Sequence, residues 1–170
     1  MGLRRWHVVA DLCRQQGLRH GAELGVREGR FAKHILETVP GSTILGVDLW
    51  QRMPPRQADG AETYEAMPME TYRRQALDLA ARYHGRCRML ETDTLSAASI
   101  VPDASLDFVF IDADHTEAAV LSDIEAWTPK VRSGGFVIGH DIDWPSVRRA
   151  VEATGEHRRL ADNVWIRPNA

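Results

Sequence analysis

The sequence predicts an α/β domain, a doubly wound and mostly parallel sheet with helices on both faces. Three observations carry that expectation. Short β-type apolar runs alternate along the chain with longer runs of helical period, the pattern of strands joined by crossover helices. Two of the apolar runs, Leu106 to Ile111 and Gly135 to Gly139, stop abruptly in ionisable residues: Asp112-Ala113-Asp114-His115 and His140-Asp141-Ile142-Asp143. Buried strands of an open parallel sheet emerge in this way at their carboxyl edge, where ligands bind. A third run, Ala22 to Val26, enters a helix through a turn that contains glycine.

The elements follow in order. Trp6, Val9, Leu12 and Cys13 share one face of a helix over Leu3 to Gln16, which Gly17 closes with a left-handed cap; it is expected to cover the sheet. Strand one, Ala22 to Val26, leads to a helix in which Phe31, Ile35 and Val39 recur every four residues until Pro40-Gly41 ends it. Strand two spans Thr43 to Leu49. From Trp50 to about Met69 the regular pattern fails at Pro54, Pro55, Gly60 and Pro68, yet Trp50, Met53, Tyr64, Met67 and Met69 are too apolar for a linker. Residues 50–70 are therefore expected to form a lid or substrate-binding insertion. A helix to Tyr83, strand three at Arg88 to Glu91, a turn at Asp93-Thr94 and strand four to Asp112 come next. Val120, Ile124 and Trp127 mark a further helix, Ser133-Gly134-Gly135 turns into strand five, and Pro145 opens the last helix. The tail reads as two short strands around Asp162, an antiparallel hairpin at the sheet edge.

Composition bounds the function. One domain is expected over residues 1–170, with 44% hydrophobic and 26% charged residues, as in ordinary globular proteins. A net charge of −3 gives no general electrostatic reason to bind nucleic acid or an acidic membrane surface, so a small-molecule partner is expected. No apolar run approaches the ~18 residues of a membrane span, and the N-terminus has no signal-peptide core, which predicts a cytoplasmic protein. Cys13 and Cys87 follow no metal or redox spacing and are expected to be buried thiols.

The turn after strand one reads Glu23-Leu24-Gly25-Val26-Arg27-Glu28-Gly29. Glycines there permit close approach of a ligand to the backbone. A dinucleotide site wants a further glycine where this chain has Arg27, so the turn suits a nucleoside ligand without a pyrophosphate better than a nicotinamide cofactor. Asp48, ending strand two, is placed to accept from ribose hydroxyls, and Asp93, after strand three, to meet an adenine amino group. Local roles compete with each: Gly25 and Gly29 in tight packing, Asp48 as a solvated strand end, Asp93 in backbone hydrogen bonds of its own turn.

Glu23 to Gly29, Asp48, Glu91-Thr92-Asp93-Thr94, Ile111 to His115 and Gly134 to Asp141, in this order, resemble a class I S-adenosylmethionine-dependent methyltransferase from about residue 20 onward. Within that superfamily the chain is similar to small bacterial enzymes whose fourth and fifth strands end in D-x-D-H and G-H-D. The resemblance implies a three-layer Rossmann-like fold with an antiparallel edge hairpin, and S-adenosylmethionine as cofactor. It assigns the methionyl part to Glu23, Gly25 and Gly29 with Val26 beside them, the ribose to Asp48 with Leu49, the adenine to Asp93 and Thr94, and a further contact to Asp112.

Methyl transfer from a sulfonium is an in-line displacement, so the protein holds donor and acceptor and handles the acceptor's proton. Two routes are open. In metal-dependent O-methyltransferases, which the chain resembles in part, a divalent cation binds the acceptor oxygens; the matching ligands are Asp112 (or Asp114), His140 and Asp141, with magnesium or manganese as the metal. His140 stands where catechol-type enzymes carry an acid. In the second route His115 or His140 is a general base oriented by Asp112, Asp114 or Asp141. A local role competes here too, with Asp114 and His115 capping a helix near Thr116. The expected reaction is methylation of a hydroxyl on a small metabolite by a cytoplasmic enzyme, a homodimer being plausible for so small a domain. N-methylation, a non-catalytic adenosyl-binding protein and a nicotinamide-dependent oxidoreductase are the alternatives.

Overall fold

The computed structural model describes residues 2–51 and 68–170. Seven strands form one sheet: β1 (His20–Leu24), β2 (Thr43–Asp48), β3 (Cys87–Glu91), β4 (Leu106–Ile111), β5 (Val131–Gly139), β6 (Arg158–Arg159) and β7 (Trp165–Pro168). Their order across the sheet is β3-β2-β1-β4-β5-β7-β6. The first five are parallel, and the edge pair β7 and β6 runs antiparallel. From β1 the chain winds outward through β2 and β3, then returns to place β4 on the other side of β1. That reversal makes the carboxyl ends of β1 and β4 the switch point where such sheets open a crevice.

Helices α1 (Arg5–Gln16), α2 (Arg30–Thr38) and α3 (Met69–Arg82) cover one face; α4 (Thr94–Ile100), α5 (Glu117–Trp127) and α6 (Pro145–Ala153) cover the other. All six residues of β4 are buried, because successive side chains serve opposite layers. Phe108 and Phe110 enter a core with Val9, Cys13, Phe31 and Ile35, and Phe31 stacks on Phe110 with ring centroids 4.2 Å apart. Val109 and Ile111 pack with Val120, Ile124, Trp127 and Val147. This double burial is why the strand reads as a continuous apolar run. Gly17 closes α1 at φ 70°, and Pro145 opens α6 in its first turn. Cys13 and Cys87 are free and buried, and burial pushes their thiols up to about 12 and about 11, which makes them inert.

Three local expectations change. The turn read at Asp93-Thr94 opens helix α4, whose Thr-Leu-Ser-Ala-Ala-Ser-Ile sequence carries only Ala97 and Ala98 as buried positions and so shows little helical period. The Ser133-Gly134-Gly135 segment lies inside β5 instead of preceding it, as an irregularity between the pairs Leu106 with Val131 and Phe108 with Phe136. The first strand of the tail hairpin shrinks to Arg158–Arg159, and the chain reverses through Asp162 and Asn163, both in the left-handed region. The insertion expected over residues 50–70 falls mostly outside the described residues.

Candidate active site

In-register pairing sets four strand ends side by side. Leu24 pairs with Val47 on one side and Ile111 on the other, and Ile111 pairs with Gly139, so Gly25, Asp48, Asp112 and His140 stand together at one edge. Backbone bonds continue past the strands: Asp112 N to Leu24 O at 2.9 Å, Gly25 N to Val47 O at 2.9 Å and His140 N to Ile111 O at 3.1 Å. Gly25 is obligatory here. Its φ is 85°, and a Cβ would lie 2.2 Å from the Asp112 carbonyl oxygen. The switch point closes only because this residue has no side chain.

The turn after β1 is tied to the end of β2. Asp48 accepts from Arg27 N through Oδ2 at 2.8 Å and from Trp50 N through Oδ1 at 2.7 Å. The buried Trp50 donates its indole N–H to Arg27 O at 2.7 Å, and Arg27 takes φ 54° to allow this. Arg27 also stacks over Tyr72 of α3 and donates to its hydroxyl. Val26 packs beneath with Trp50, Tyr72 and Ala76, so its side chain belongs to this small core; Leu49 is half-buried next to Asp48. Gly29, at φ 86°, leads into α2. Below it Glu23, 3% exposed, accepts from Ala32 N in the first turn of α2 at 3.2 Å. Burial, with Asp112 adding to it, drives the Glu23 carboxyl far above its ordinary range, and Glu23 props the turn from below.

Asp93 and Thr94 sit at the end of β3. Asp93 is exposed and caps α4 by accepting from Ser96 N at 2.8 Å, which holds its carboxyl below the usual range. Thr94 turns inward and donates to the buried Asp123 at 2.5 Å. The local role of Asp93 is thus realised.

Beside them lies an acid and imidazole cluster. His115 Nε2 is 2.7 Å from Asp141 Oδ2 and 3.6 Å from Asp112 Oδ1. His140 Nδ1 is 3.0 Å from Asp141 Oδ1 and 3.8 Å from Asp112 Oδ1. Asp141 holds φ 55°, the bend that swings its carboxylate between both imidazoles. Burial disfavours a charge on His115, but hydrogen bonds to Asp112 and Asp141 outweigh it and raise the imidazole to about 9. His140 is raised on the same balance, through Asp141 and Asp112, while the two imidazoles hold Asp141 well below the carboxylate range against its own burial. Asp112, His115 and Asp141 offer three ligand atoms within 4.8 Å of one another. Asp114, the alternative to Asp112, accepts from Thr116 N at 2.8 Å ahead of α5, a local turn role.

Sequence reasoning missed four contributors. Arg5 of α1 reaches Asp112, with Nε 2.9 Å from Oδ2. Asp162 of the β6–β7 turn lies 3.8 Å from His140 Nε2, a buried nitrogen with no hydrogen-bond partner among the described residues. Trp144 lies against the His115 ring, centroids 4.7 Å apart, and Ser146 donates to His115 O at 2.7 Å. Only the contact with Trp144 had a sequence signal, its place beside the acidic end of β5. A concavity of about 570 Å³ lies at the opposite, amino edge of the sheet beside His20, Thr43, His84 and Arg88, away from every group described above.

A switch-point crevice, a glycine turn latched to an acidic strand end and an adjoining acid and imidazole cluster define a nucleoside-binding α/β enzyme. Residues 22–142 match the family model for a methyltransferase domain, and the chain belongs to that family. It is a class I S-adenosylmethionine-dependent methyltransferase. The whole chain superposes on a Staphylococcus aureus protein assigned as a caffeoyl-CoA O-methyltransferase, with a TM-score of 0.71, 18% identity and 85% of that chain covered. It superposes likewise on a Klebsiella pneumoniae protein assigned as an O-methyltransferase (0.66, 16% identity, 82% covered). Over 99% of its length it also matches cofactor-bound Rv0187 from MTB (0.67, 15% identity, 82% covered). At these identities the likeness is one of fold. No curated protein matches the chain. Among the described residues, no helix is long and apolar enough to cross a membrane.

Proposed function

We propose that this methyltransferase acts on a hydroxyl oxygen of a small metabolite, with His115 as general base. The observation that carries the reading is the His115–Asp141 hydrogen bond of 2.7 Å, beside the switch point where the glycine turn and Asp48 would hold the cofactor. S-adenosylmethionine supplies an electrophilic methyl group on sulfonium. The chain supplies placement and a proton acceptor. Nε2 of His115 keeps its proton toward Asp141 Oδ2, which leaves Nδ1 to take the proton of the acceptor hydroxyl as its oxygen displaces sulfur from the methyl carbon. Asp141 and Asp112 then stabilise the imidazolium formed, as a buried carboxylate does for any catalytic histidine. His140 is the second imidazole on the same acid and shares this stabilisation. Trp144 walls one side of His115 and suits a flat acceptor.

A second reading keeps the reaction and changes the means. Two carboxylates and an imidazole with ligand atoms within 4.8 Å fit a divalent cation such as magnesium or manganese. Asp112, His115 and Asp141 would hold it, with His140 the neighbouring donor, and it would lower the pKa of a bound hydroxyl. His115 cannot be ligand and base at once, so the readings separate cleanly. Turnover in excess chelator that falls by 10² or more in His115→Ala supports the base; turnover that appears only with added magnesium or manganese overturns it in favour of the cation. Residues 50–70 are proposed to select the acceptor. Deleting Pro54 to Gly60 is expected to spare S-adenosylhomocysteine affinity and abolish turnover; equal loss of both contradicts that role.

A further inference from the structure

The N-terminal helix does more than cover the sheet. Its first residue, Arg5, is joined to the candidate site at two points. The Arg5 backbone N–H donates to Asp162 Oδ2 at 2.5 Å, and its Nε lies 2.9 Å from Asp112 Oδ2. The first turn of α1 contains no acidic residue, so the carboxylate of Asp162, 157 positions away in sequence, meets the positive end of the helix in its place. Asp162 can do so because the β6–β7 reversal holds it at φ 50°. The same carboxylate faces His140 Nε2 at 3.8 Å, and the other imidazole nitrogen faces Asp141 and Asp112. Helix, hairpin turn and both catalytic strand ends thus share one set of charges.

We infer that Arg5 is a positioning residue for methyl transfer, docked by Asp162, that fixes the Asp112 carboxylate with one oxygen toward the guanidinium and the other toward His115 and His140. The inference rests on the proposed reading of this cluster as the active site. Its physical basis is that a carboxylate on a single bond rotates freely unless both oxygens are engaged. Arg5 Nε, which has no hydrogen-bond partner among the described residues, draws Oδ2 by charge as an ion pair at 2.9 Å, and Oδ1 then lies 3.6 Å and 3.8 Å from the two imidazoles. Partners that orient functional groups from behind typically cost about 10- to 100-fold when removed.

The test compares the full chain with Arg5→Gln, Arg5→Lys and Asp162→Asn, each first shown by circular dichroism to keep its helices. Imidazole 15N chemical shifts of His115 and His140 are read at fixed pH, with calorimetric affinity for S-adenosylhomocysteine and turnover on the best acceptor of a phenol and sugar panel. The inference expects Arg5→Gln and Asp162→Asn to move both imidazoles' signals and to lower kcat about tenfold or more, with cofactor affinity and KM nearly unchanged. Arg5→Lys is expected to recover part of both effects. Imidazole signals that overlay on wild type overturn the inference, as do signals that move while kcat stays constant. Should Arg5→Gln fail to fold, Arg5→Lys and Asp162→Asn decide on the same criteria. If wild type methylates no acceptor, the reaction proposed above fails, while the imidazole shifts still decide whether Arg5 and Asp162 fix the cluster.

Discussion

His115 shows how two carboxylates reverse the usual effect of burial. Alone in this partly buried position it would be neutral at pH 7; between Asp141 and Asp112 it is raised to about 9 and is charged. For stability the sign is fixed: its folded value lies above the unfolded one of about 6.5, so its contribution is full below about 6.5 and is lost as pH rises through 9. For the reaction the sign is opposite, because a base must first lose its proton. In excess chelator, kcat is expected to rise with pH to a limb near 9 and to lose that limb in Asp141→Asn; a flat profile from pH 7 to 9.5 contradicts it. A second buried acid offers an independent check. Burial lifts Asp123 to about 6, against the pull of the Thr94 hydroxyl. The folded state then holds this proton more tightly than the unfolded chain, so stability falls by up to about 3 kcal/mol as pH rises from 4 through 6. Asp123→Asn retains an acceptor for Thr94 and cannot ionise. Chemical denaturation across that range is expected to lose this slope in the variant.

At the scale of elements, two glycines in similar conformations carry different loads. Gly25 faces backbone, with a Cβ only 2.2 Å from Asp112 O, whereas Gly29 faces the tip of Leu79, 2.9 Å from Cδ2. Backbone at the switch point cannot yield, but a leucine rotamer can. Gly25→Ala is therefore expected to cost clearly more stability than Gly29→Ala, whose strain is about 1 kcal/mol, and to weaken S-adenosylhomocysteine binding by separating β1 from β4. Paired denaturation curves and titrations of the two variants test the ranking, and equal losses contradict it. These elements were largely legible in the sequence because each strand end near the site is punctuated: apolar residues, then glycine or acid. Helix α4 was not, since Ser, Thr and Ala give no apolar period, and a capping Asp93 looks the same in a turn as at a helix start. Nor were Arg5 and Asp162. Both contacts bridge distant parts of the chain, and an arginine in the first turn of an amphipathic helix carries no sign of what it will meet.

The whole molecule combines a rigid sheet with a site assembled at one edge from five places in the sequence: Arg5, Gly25, Asp48, the Asp112 to His115 segment and the His140 to Asp141 pair. Such convergence makes ligand and fold mutually dependent. Saturating S-adenosylhomocysteine, at about 100 times its Kd, is expected to stabilise the fold by about 2.7 kcal/mol, while NAD at the same concentration leaves it unchanged. Equal stabilisation by NAD would point to the oxidoreductase alternative that Arg27, in place of a second glycine, argues against. Oxygen methylation through His115 is tested by transfer of labelled methyl from S-adenosylmethionine to matched phenol, sugar and amine acceptors in excess chelator, wild type beside His115→Ala. Label on a hydroxyl oxygen, reduced 10² or more in the variant, is the expected result; label on amines alone, or equal transfer by both proteins, would contradict it.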